Sequence, residues 1–169
     1  MVDGMMLQRE SSMSRTALAA IALVAGAAGL SAPAQAAPAC VGTPGTGKVK
    51  LEVAATQLRS ADGEVAFTVY PDDSSRFLKG GAKLARARVK TTAPTTRACF
   101  WLAPGHYALA TYHDENGDHK FNRTAFAPKE GFGFSNDAPT ALGLPSFKAT
   151  RFPVPAGGGS IAIRTRYGR

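Results

Sequence analysis

Apolar residues recur at every second position in four segments spread over residues 48–166, and this alternation constrains the fold more than any other feature. In KVKLEV, residues 48–53, valine and leucine alternate with lysine and glutamate, and GEVAFTVY, residues 63–70, repeats the pattern. ARARVK, residues 85–90, and IAIRTR, residues 161–166, show it again. Successive side chains of a β-strand point to opposite faces, so each segment predicts a strand with one buried face.

Three further segments bounded by proline and glycine complete a set of about seven predicted strands: TTRACFWL, residues 95–102, HYALATYH, 106–113, and SFKATRFPV, 146–154. Only SSRFLKGGAKL, residues 74–84, is suited to a helical turn. Strands that do not alternate with helices exclude a parallel α/β sheet. The sequence therefore predicts an all-β, antiparallel sandwich of about seven strands, immunoglobulin-like or prealbumin-like.

One turn favours this class of sandwich. LAPGHY, residues 102–107, resembles the turn and strand start L-x-P-G-x-Y that is common in immunoglobulin-like and prealbumin-like sandwiches. The resemblance implies that Tyr107 packs inward and that its hydroxyl bonds back to the backbone of the turn. The alternative is an ordinary β-turn with a surface tyrosine.

The first 36 residues have a different character. Arg9 and Arg15 precede a 15-residue apolar run, residues 16–30, and the small-residue pattern Ala-Gln-Ala follows at 34–36. This order is typical of a secretory signal peptide, and the run is shorter than the roughly 20 apolar residues that span a bilayer. We predict cleavage after Ala36. A retained anchor and a lipoprotein acylated on Cys40 are the alternatives.

Cleavage would leave 133 residues, which is one domain's worth. We expect a flexible segment rich in glycine and proline at 37–47, a single β-sandwich domain at 48–169, and no transmembrane span. An exported chain of this kind belongs in the periplasm or outside the cell.

The chain is basic, with a formal net charge of +8 that cleavage of residues 1–36 would not change. An exported basic protein is expected to meet anionic lipid or cell-wall polymer rather than nucleic acid. The alternation places one row of cations on outward strand faces: Arg86, Arg88, Lys90, Arg164 and Arg166. The alternative interpretation of this row is a solvated sheet face.

The chain has two cysteines, Cys40 and Cys99. Thiols oxidise in exported proteins, so we predict a disulfide between them, which would tie the N-terminal segment to the sheet. The alternative is a buried free thiol at Cys99 and a loose Cys40.

The order of the strands and of three motifs resembles an exported bacterial domain of unknown function, DUF2141, over nearly all of residues 46–167. The motifs are YHDENGD at 112–118, PKEGFGFSN at 128–136 and PSF at 145–147. The resemblance implies an exported β-sandwich with no established activity. The family usually reads H-D-E-N-G-N-G-K-L-D in the first motif, and here Asp118, His119 and Asn122 depart from it.

The segment that begins at Asp114 has the spacing of a calcium-binding loop. Counted from Asp114 as position one, oxygen donors fall at positions one, three, five, seven and nine, as in an EF-hand: Asp114, Asn116, Asp118, the carbonyl of Lys120, and Asn122. Position twelve is Ala125 rather than a glutamate, so Glu130 is the expected further ligand, and Gly117 the expected sharp turn. This predicts weak calcium binding, on the order of 0.1 to 1 mM. The alternative is a series of turns stabilised by Asp and Asn side chains.

A catalytic use of the same loop, residues 113–136, is the alternative function: a metal-dependent or hydrolytic enzyme. Three histidines, His106, His113 and His119, stand near Asp114 and Glu130 in sequence. His106 and His113 are seven residues apart on one predicted strand and therefore point to opposite faces, which disfavours a zinc site. Ser135 lies outside a G-x-S-x-G elbow. We therefore predict a binding module, or a purely structural domain, rather than an enzyme.

Four phenylalanines accompany the loop: Phe121, Phe126, Phe132 and Phe134. A loop of this length needs buried side chains to stay ordered, so we expect them to cap one end of the sandwich. The alternative is an exposed aromatic platform for a sugar or peptide.

Overall fold

The strands predicted from the alternation form two packed sheets. The structure, a computed structural model, describes residues 39–124, 127–140 and 144–168, so the predicted signal peptide at 1–36 and Phe126 lie outside the described residues. The strands are β1 Val49–Thr56, β2 Glu64–Pro71, β3 Ala85–Lys90, β4 Thr95–Leu102, β5 Gly105–Asp114, β6 Gly131–Phe134, β7 Phe152–Val154 and β8 Gly159–Arg164. A 3-10 turn, Ser135–Asp137, and a one-turn helix α1, Phe147–Thr150, follow β6. The predicted all-β sandwich is confirmed.

One sheet has three strands in the order β4-β1-β8, and the other has the order β3-β2-β5-β6, with β7 also pairing with β5. β6 and β7 share one edge of β5, since β6 pairs with Ala110–His113 and β7 with Gly105–Tyr107. Neighbouring strands are antiparallel except for β1 and β8, which are parallel. The three-stranded sheet is therefore mixed, where the sequence predicted purely antiparallel pairing.

The main core lies between the two sheets, as the alternation predicts. Its fully buried side chains include Leu51 and Val53 of β1, Val65 and Phe67 of β2, and Phe100 of β4. Burying such a side chain contributes roughly 1.5–3 kcal/mol. In β1 the alternating residues Lys50 and Glu52 point away from this core and are exposed.

A second cluster covers the outer face of the five-stranded sheet. Phe77, from the turn before β3, and Phe147 of α1 pack over Tyr70 and Phe134. Both faces of β2 are buried for this reason, although its sequence alternates. The segment 74–84 forms turns rather than a helical turn.

Two segments differ from the predicted strands. Residues 147–150 form α1 where a strand was predicted, because the Ser146 side chain accepts a hydrogen bond from the backbone N–H of Ala149 and so caps the turn. β6, with the sequence GFGF, was not predicted because glycine is depleted in strands. Its glycines face inward: a Cβ on Gly133 would lie 2.6 Å from the Ile163 side chain, so glycine allows β8 to pack closely against β6.

The prediction for Tyr107 is confirmed. Its side chain is buried in the main core, and its hydroxyl donates a 2.7 Å hydrogen bond to the carbonyl of Ala103, in the turn before β5. This bond fixes the start of β5 and therefore the register of the strand that carries the loop.

The predicted disulfide between Cys40 and Cys99 is present. Next to it, Val41 pairs with β4: the Val41 N–H donates to Cys99 and the Trp101 N–H donates to Val41. The N-terminal segment is thus joined to the edge of the three-stranded sheet. Within the described ranges, no helix has the length and apolar character needed to cross a bilayer.

Candidate metal centre

The pairing of β5 with β6 brings two acidic side chains together at one end of the sandwich. The last pair of this ladder is His113 with Gly131, so Asp114, which ends β5, and Glu130, which precedes β6, are neighbours just beyond it. Both carboxylates are buried, with exposed fractions of 0% and 4%. A register shift of one residue would turn one of them to the other face of the sheet.

Asp118 completes a group of three carboxylates. One carboxylate oxygen from each of Asp114, Asp118 and Glu130 lies within 4.8 Å of the other two. Calcium binds oxygen at about 2.3–2.6 Å, so two ligands on opposite sides of the ion are up to about 5 Å apart. The three oxygens therefore fit around one calcium ion.

The loop is also stabilised by its own hydrogen bonds. Asn116 Oδ1 accepts from the backbone N–H of Asp118, and Asp118 Oδ1 accepts from that of Lys120. These are the turns expected from Asp and Asn side chains, and they hold Asp118 close to Asp114. Asn116 and Lys120 thus position the third carboxylate, while coordination by their own oxygens stays a prediction.

Asn122 bridges two of the carboxylates. Its side-chain Nδ2 donates to Asp118 Oδ2 at 2.8 Å and to Glu130 Oε1 at 3.3 Å, and its backbone N–H donates to Glu130 Oε2 at 3.0 Å. In this orientation the amide presents hydrogen to the two carboxylates. Rotation of the amide by half a turn would present its oxygen as the predicted ligand.

The turn uses two residues with positive φ. Gly117, the predicted turn residue, has φ +68°, and His119 has φ +64°. His119 is held by its backbone: its N–H donates to Asp114 Oδ2 at 2.8 Å, and its carbonyl accepts from Arg88 at 2.9 Å. These bonds offset the strain of a left-handed conformation in a residue that has a Cβ.

Arg88 supplies positive charge to this end of the sandwich. Its guanidinium forms an ion pair with Glu64, lies 3.3 Å from Asp114 Oδ2, and donates to the Tyr112 hydroxyl at 2.6 Å. Arg88 on β3 and Tyr112 on β5 both pair with Ala66 of β2, the strand between them, so the three residues lie in one row across the sheet. The sequence predicted an outward-facing cation at Arg88. It did not predict that Arg88 would pair with the carboxylates of Glu64 and Asp114, because this depends on the order of three neighbouring strands.

The electrostatics of the three carboxylates are unequal. Burial raises the pKa of Glu130, the Asn122 hydrogen bonds oppose that rise, and the negative charges of Asp114 and Asp118 add to it. Asp118 is exposed, and the hydrogen bond from the Asn122 amide lowers its pKa. A cation between the three groups would relieve the repulsion that acts on Glu130.

The histidines do not gather around this group. His113 is fully buried: its Nε2 donates to the carbonyl of Asp62 at 2.8 Å, and its Nδ1 lies 2.8 Å from the Tyr167 hydroxyl. His106 lies at the opposite end of β5, beside β7. His119 Nε2 is 3.5 Å from Glu64 rather than among the three carboxylates.

Ser135 is equally engaged. Its buried hydroxyl donates to the carbonyl of Thr150 and accepts from the N–H of Leu109, so it joins α1 to β5. Both ring nitrogens of His113 are occupied as well, and neither of them bonds to Ser135, so these two residues do not form a nucleophile and base pair.

The described phenylalanines pack as a chain rather than as an open platform. Phe134 is buried, and Phe132 contacts both Phe134 and Phe121 edge to face, with ring centroids 6.1 Å apart in each case. Phe121, with 40% of its surface exposed, also contacts Tyr112. Packing is therefore their main role.

The five cations predicted as one row are Arg86, Arg88, Lys90, Arg164 and Arg166. They are not side by side on one strand: β3 carries the first three, β8 of the other sheet carries Arg164, and Arg166 pairs with Phe132 of β6. Arg86 donates to the Thr68 hydroxyl, and Arg166 donates to the carbonyls of Asp137 and Ala138. Binding of an anionic partner stays a prediction.

Fold and site together define the class: a small, disulfide-bonded β-sandwich with an acidic loop at one end, which comprises residues 114–124 and Glu130. The chain belongs to the family DUF2141, described as "Uncharacterized protein conserved in bacteria", whose family model matches residues 53–162. This confirms the resemblance predicted from the three motifs. No curated protein and no solved structure matches the chain.

Proposed function

We propose that this protein is an exported module of the bacterial cell envelope whose acidic loop binds calcium and is stabilised by it. The observation that carries the proposal is the convergence of Asp114, Asp118 and Glu130 on a volume the size of one calcium ion. Hard oxygen ligands favour calcium over zinc or copper. Calcium takes six to eight oxygens, so three carboxylates leave room for water and loop oxygens, which is consistent with weak affinity.

Two features support export. Residues 1–36 have the order of a signal peptide, and the Cys40–Cys99 disulfide is of a kind that persists in oxidising compartments. In such compartments free calcium is far more abundant than in the cytosol, so a site of millimolar or submillimolar affinity would be filled. The role of the ion would be to hold the loop in one conformation for binding a partner or for structural support.

Calcium is expected to stabilise the fold. At ten times its dissociation constant it should add about 1.4 kcal/mol to the free energy of unfolding, a rise of roughly 5 °C in the melting temperature. Thermal unfolding of metal-free protein, with calcium added from excess chelator to 10 mM, measures the effect. An unchanged melting curve would leave the loop as a structural element without a metal.

The matched variants are Asp118→Asn and Asp72→Asn, which make the same chemical change inside and outside the loop. Asp118 is exposed, so its substitution should leave the metal-free fold intact. Loss of one ligand charge should weaken calcium binding about tenfold and reduce the stabilisation from about 1.4 to about 0.4 kcal/mol. Asp72, which pairs with Arg151 on the surface, should keep the full calcium response.

Calcium stabilisation should also depend on pH. Calcium binds the ionised form of Glu130, whose pKa burial raises, so protons compete for this ligand at higher pH than for an ordinary glutamate. The stabilisation should be complete above that raised pKa and disappear as the pH falls through it. Without calcium the pH dependence of stability has the opposite sign. The folded state must then bury a charged Glu130 once the pH exceeds its raised pKa, so the free energy of unfolding falls as the pH rises. Calcium titrations at several pH values, repeated with Glu130→Gln, test this. If the calcium affinity stays unchanged down to the pH at which Asp118 protonates, Glu130 is excluded as a ligand.

A further inference from the structure

A groove lies beside the edge strands of the two sheets, β3 of the five-stranded sheet and β4 of the three-stranded sheet. Its volume is about 890 Å³, within the range of about 300–1,000 Å³ that is typical of ligand sites. The polar side chains that line it include Lys50, Lys90, Thr91, Thr92, Thr95 and Arg97. None of these belongs to the acidic loop.

The groove is positively charged. Lys50, Lys90 and Arg97 line it together with a single acidic residue, Glu52. Lys50 Nζ pairs with Glu52 Oε1 at 2.6 Å on the exposed surface. In the part of the chain that the structure describes, the side chains of Lys90 and Arg97 form no hydrogen bond and no ion pair within 4 Å. The pKa of Glu52 is lowered mainly by its hydrogen bond with Lys50, and the charge of Arg97 contributes to that lowering. The side chains of Lys90 and Arg97 can therefore both pair with a ligand.

Thr91 adds an unsatisfied hydrogen-bonding group. The residue is buried, with 2% of its surface exposed, and its hydroxyl has no hydrogen-bond partner. Most buried hydroxyls in folded proteins are hydrogen-bonded, so a buried hydroxyl without a partner in the protein suggests that it bonds to a ligand. Thr91 also lines the groove, so a hydroxyl that has no partner belongs to a residue beside the place where a ligand would bind.

We propose that this groove binds a linear polyanion, with Lys90 and Arg97 pairing with its carboxylate or phosphate groups and Thr91 donating a hydrogen bond. Arginine is suited to this role because its planar guanidinium can donate two parallel hydrogen bonds to either group. A concave site fits a polymer chain better than a bilayer, whose surface does not enter a groove. The proposal is independent of the calcium loop.

Binding is tested with polygalacturonate, which carries carboxylates, and with inorganic polyphosphate, using neutral dextran as the control. Calorimetry at low salt with full-length mature protein should show binding to at least one polyanion, none to dextran, and weakening as salt screens the charges. The tighter polyanion identifies the preferred group. Binding to phosphatidylglycerol vesicles together with no binding to either polymer would overturn the proposal in favour of a lipid surface.

Two double variants with the same loss of charge locate the site. Lys90→Gln with Arg97→Gln should weaken polyanion binding at least tenfold. Lys148→Gln with Arg164→Gln removes two exposed cations that do not line the groove, and should change binding less than twofold. Equal losses in the two variants would show a nonspecific effect of net charge and overturn the site.

Thr91→Val tests the buried hydroxyl. The substitution keeps the shape of the side chain and removes an unpaired polar group, so the melting temperature should rise. Polyanion affinity should fall at least threefold in the same variant. A higher melting temperature with unchanged affinity would show that Thr91 takes no part in binding.

Discussion

Gly63→Ala should be among the most destabilising single substitutions in this protein, with an expected cost of more than about 3 kcal/mol in the free energy of unfolding. An alanine Cβ at this position would lie 1.9 Å from the carbonyl oxygen of Asp114 and 3.0 Å from the carbonyl carbon of Glu115. Both are backbone atoms, so neither can move without displacing the end of β5. Gly63 also has φ +59°, which costs a residue with a Cβ a further 1–2 kcal/mol or so.

Two other glycines separate these effects. Gly117 has φ +68°, and a Cβ added to it would meet no atom within 4 Å, so Gly117→Ala should cost only the conformational term, about 1–2 kcal/mol. Gly80 has neither a positive φ nor a close neighbour, and Gly80→Ala should be nearly neutral. Denaturant unfolding of the three variants measures the series. A Gly63→Ala cost no larger than that of Gly117→Ala would show that the backbone of Asp114 moves freely.

Removal of the disulfide is the second change with a large expected effect. Cys40→Ala with Cys99→Ala should lower the free energy of unfolding by roughly 4 kcal/mol, since the bond spans a sequence separation of 59 residues and restricts the unfolded chain. Small domains are stable by only about 5–15 kcal/mol, so such a loss would leave the fold marginal. Denaturant unfolding of the variant, and of the native protein with and without reductant, measures it.

The structural part of this loss can be separated from the chain-entropy part. Val41 forms two backbone hydrogen bonds with β4 that do not require the disulfide. Protection of the Trp101 N–H from hydrogen exchange reports on them directly. If the alanine variant keeps this protection and still loses about 4 kcal/mol, the effect lies in the unfolded chain. A loss below about 1 kcal/mol would contradict the prediction.

The sequence predicted the main core well because alternation is a local signal. Val65, Phe67 and Val69 are buried between the sheets, and the period of two alone identifies them. Strand pairing is not local, which explains why the parallel contact of β1 with β8 was missed. β6 was missed for a different reason. Strand propensity reflects how well side chains pack, and glycine has none, but Gly131 and Gly133 are needed here because neighbouring residues approach their backbone closely.

The acidic loop was predicted in part. Spacing identified Asp114 and Asp118, and the expectation that Glu130 would join them agrees with the geometry. Asn116 and Lys120 take part in turn hydrogen bonds. The same spacing suits both turn formation and calcium coordination, so the sequence alone does not distinguish these two roles. Arg88 was missed as the counter-charge because it is 26 residues before Asp114 in the chain. The two residues come together only because β3 and β5 both pair with β2.

The parallel contact between β1 and β8 affects the order of folding. β1 is the central strand of its sheet, and one of its two neighbours, Gly159–Arg164, lies more than a hundred residues later in the chain. The ribosome must therefore release nearly the whole domain before this sheet can be completed, and contacts of such long range form slowly. The chain should therefore stay open until its last strand arrives, and such a delay would be compatible with the export proposed above.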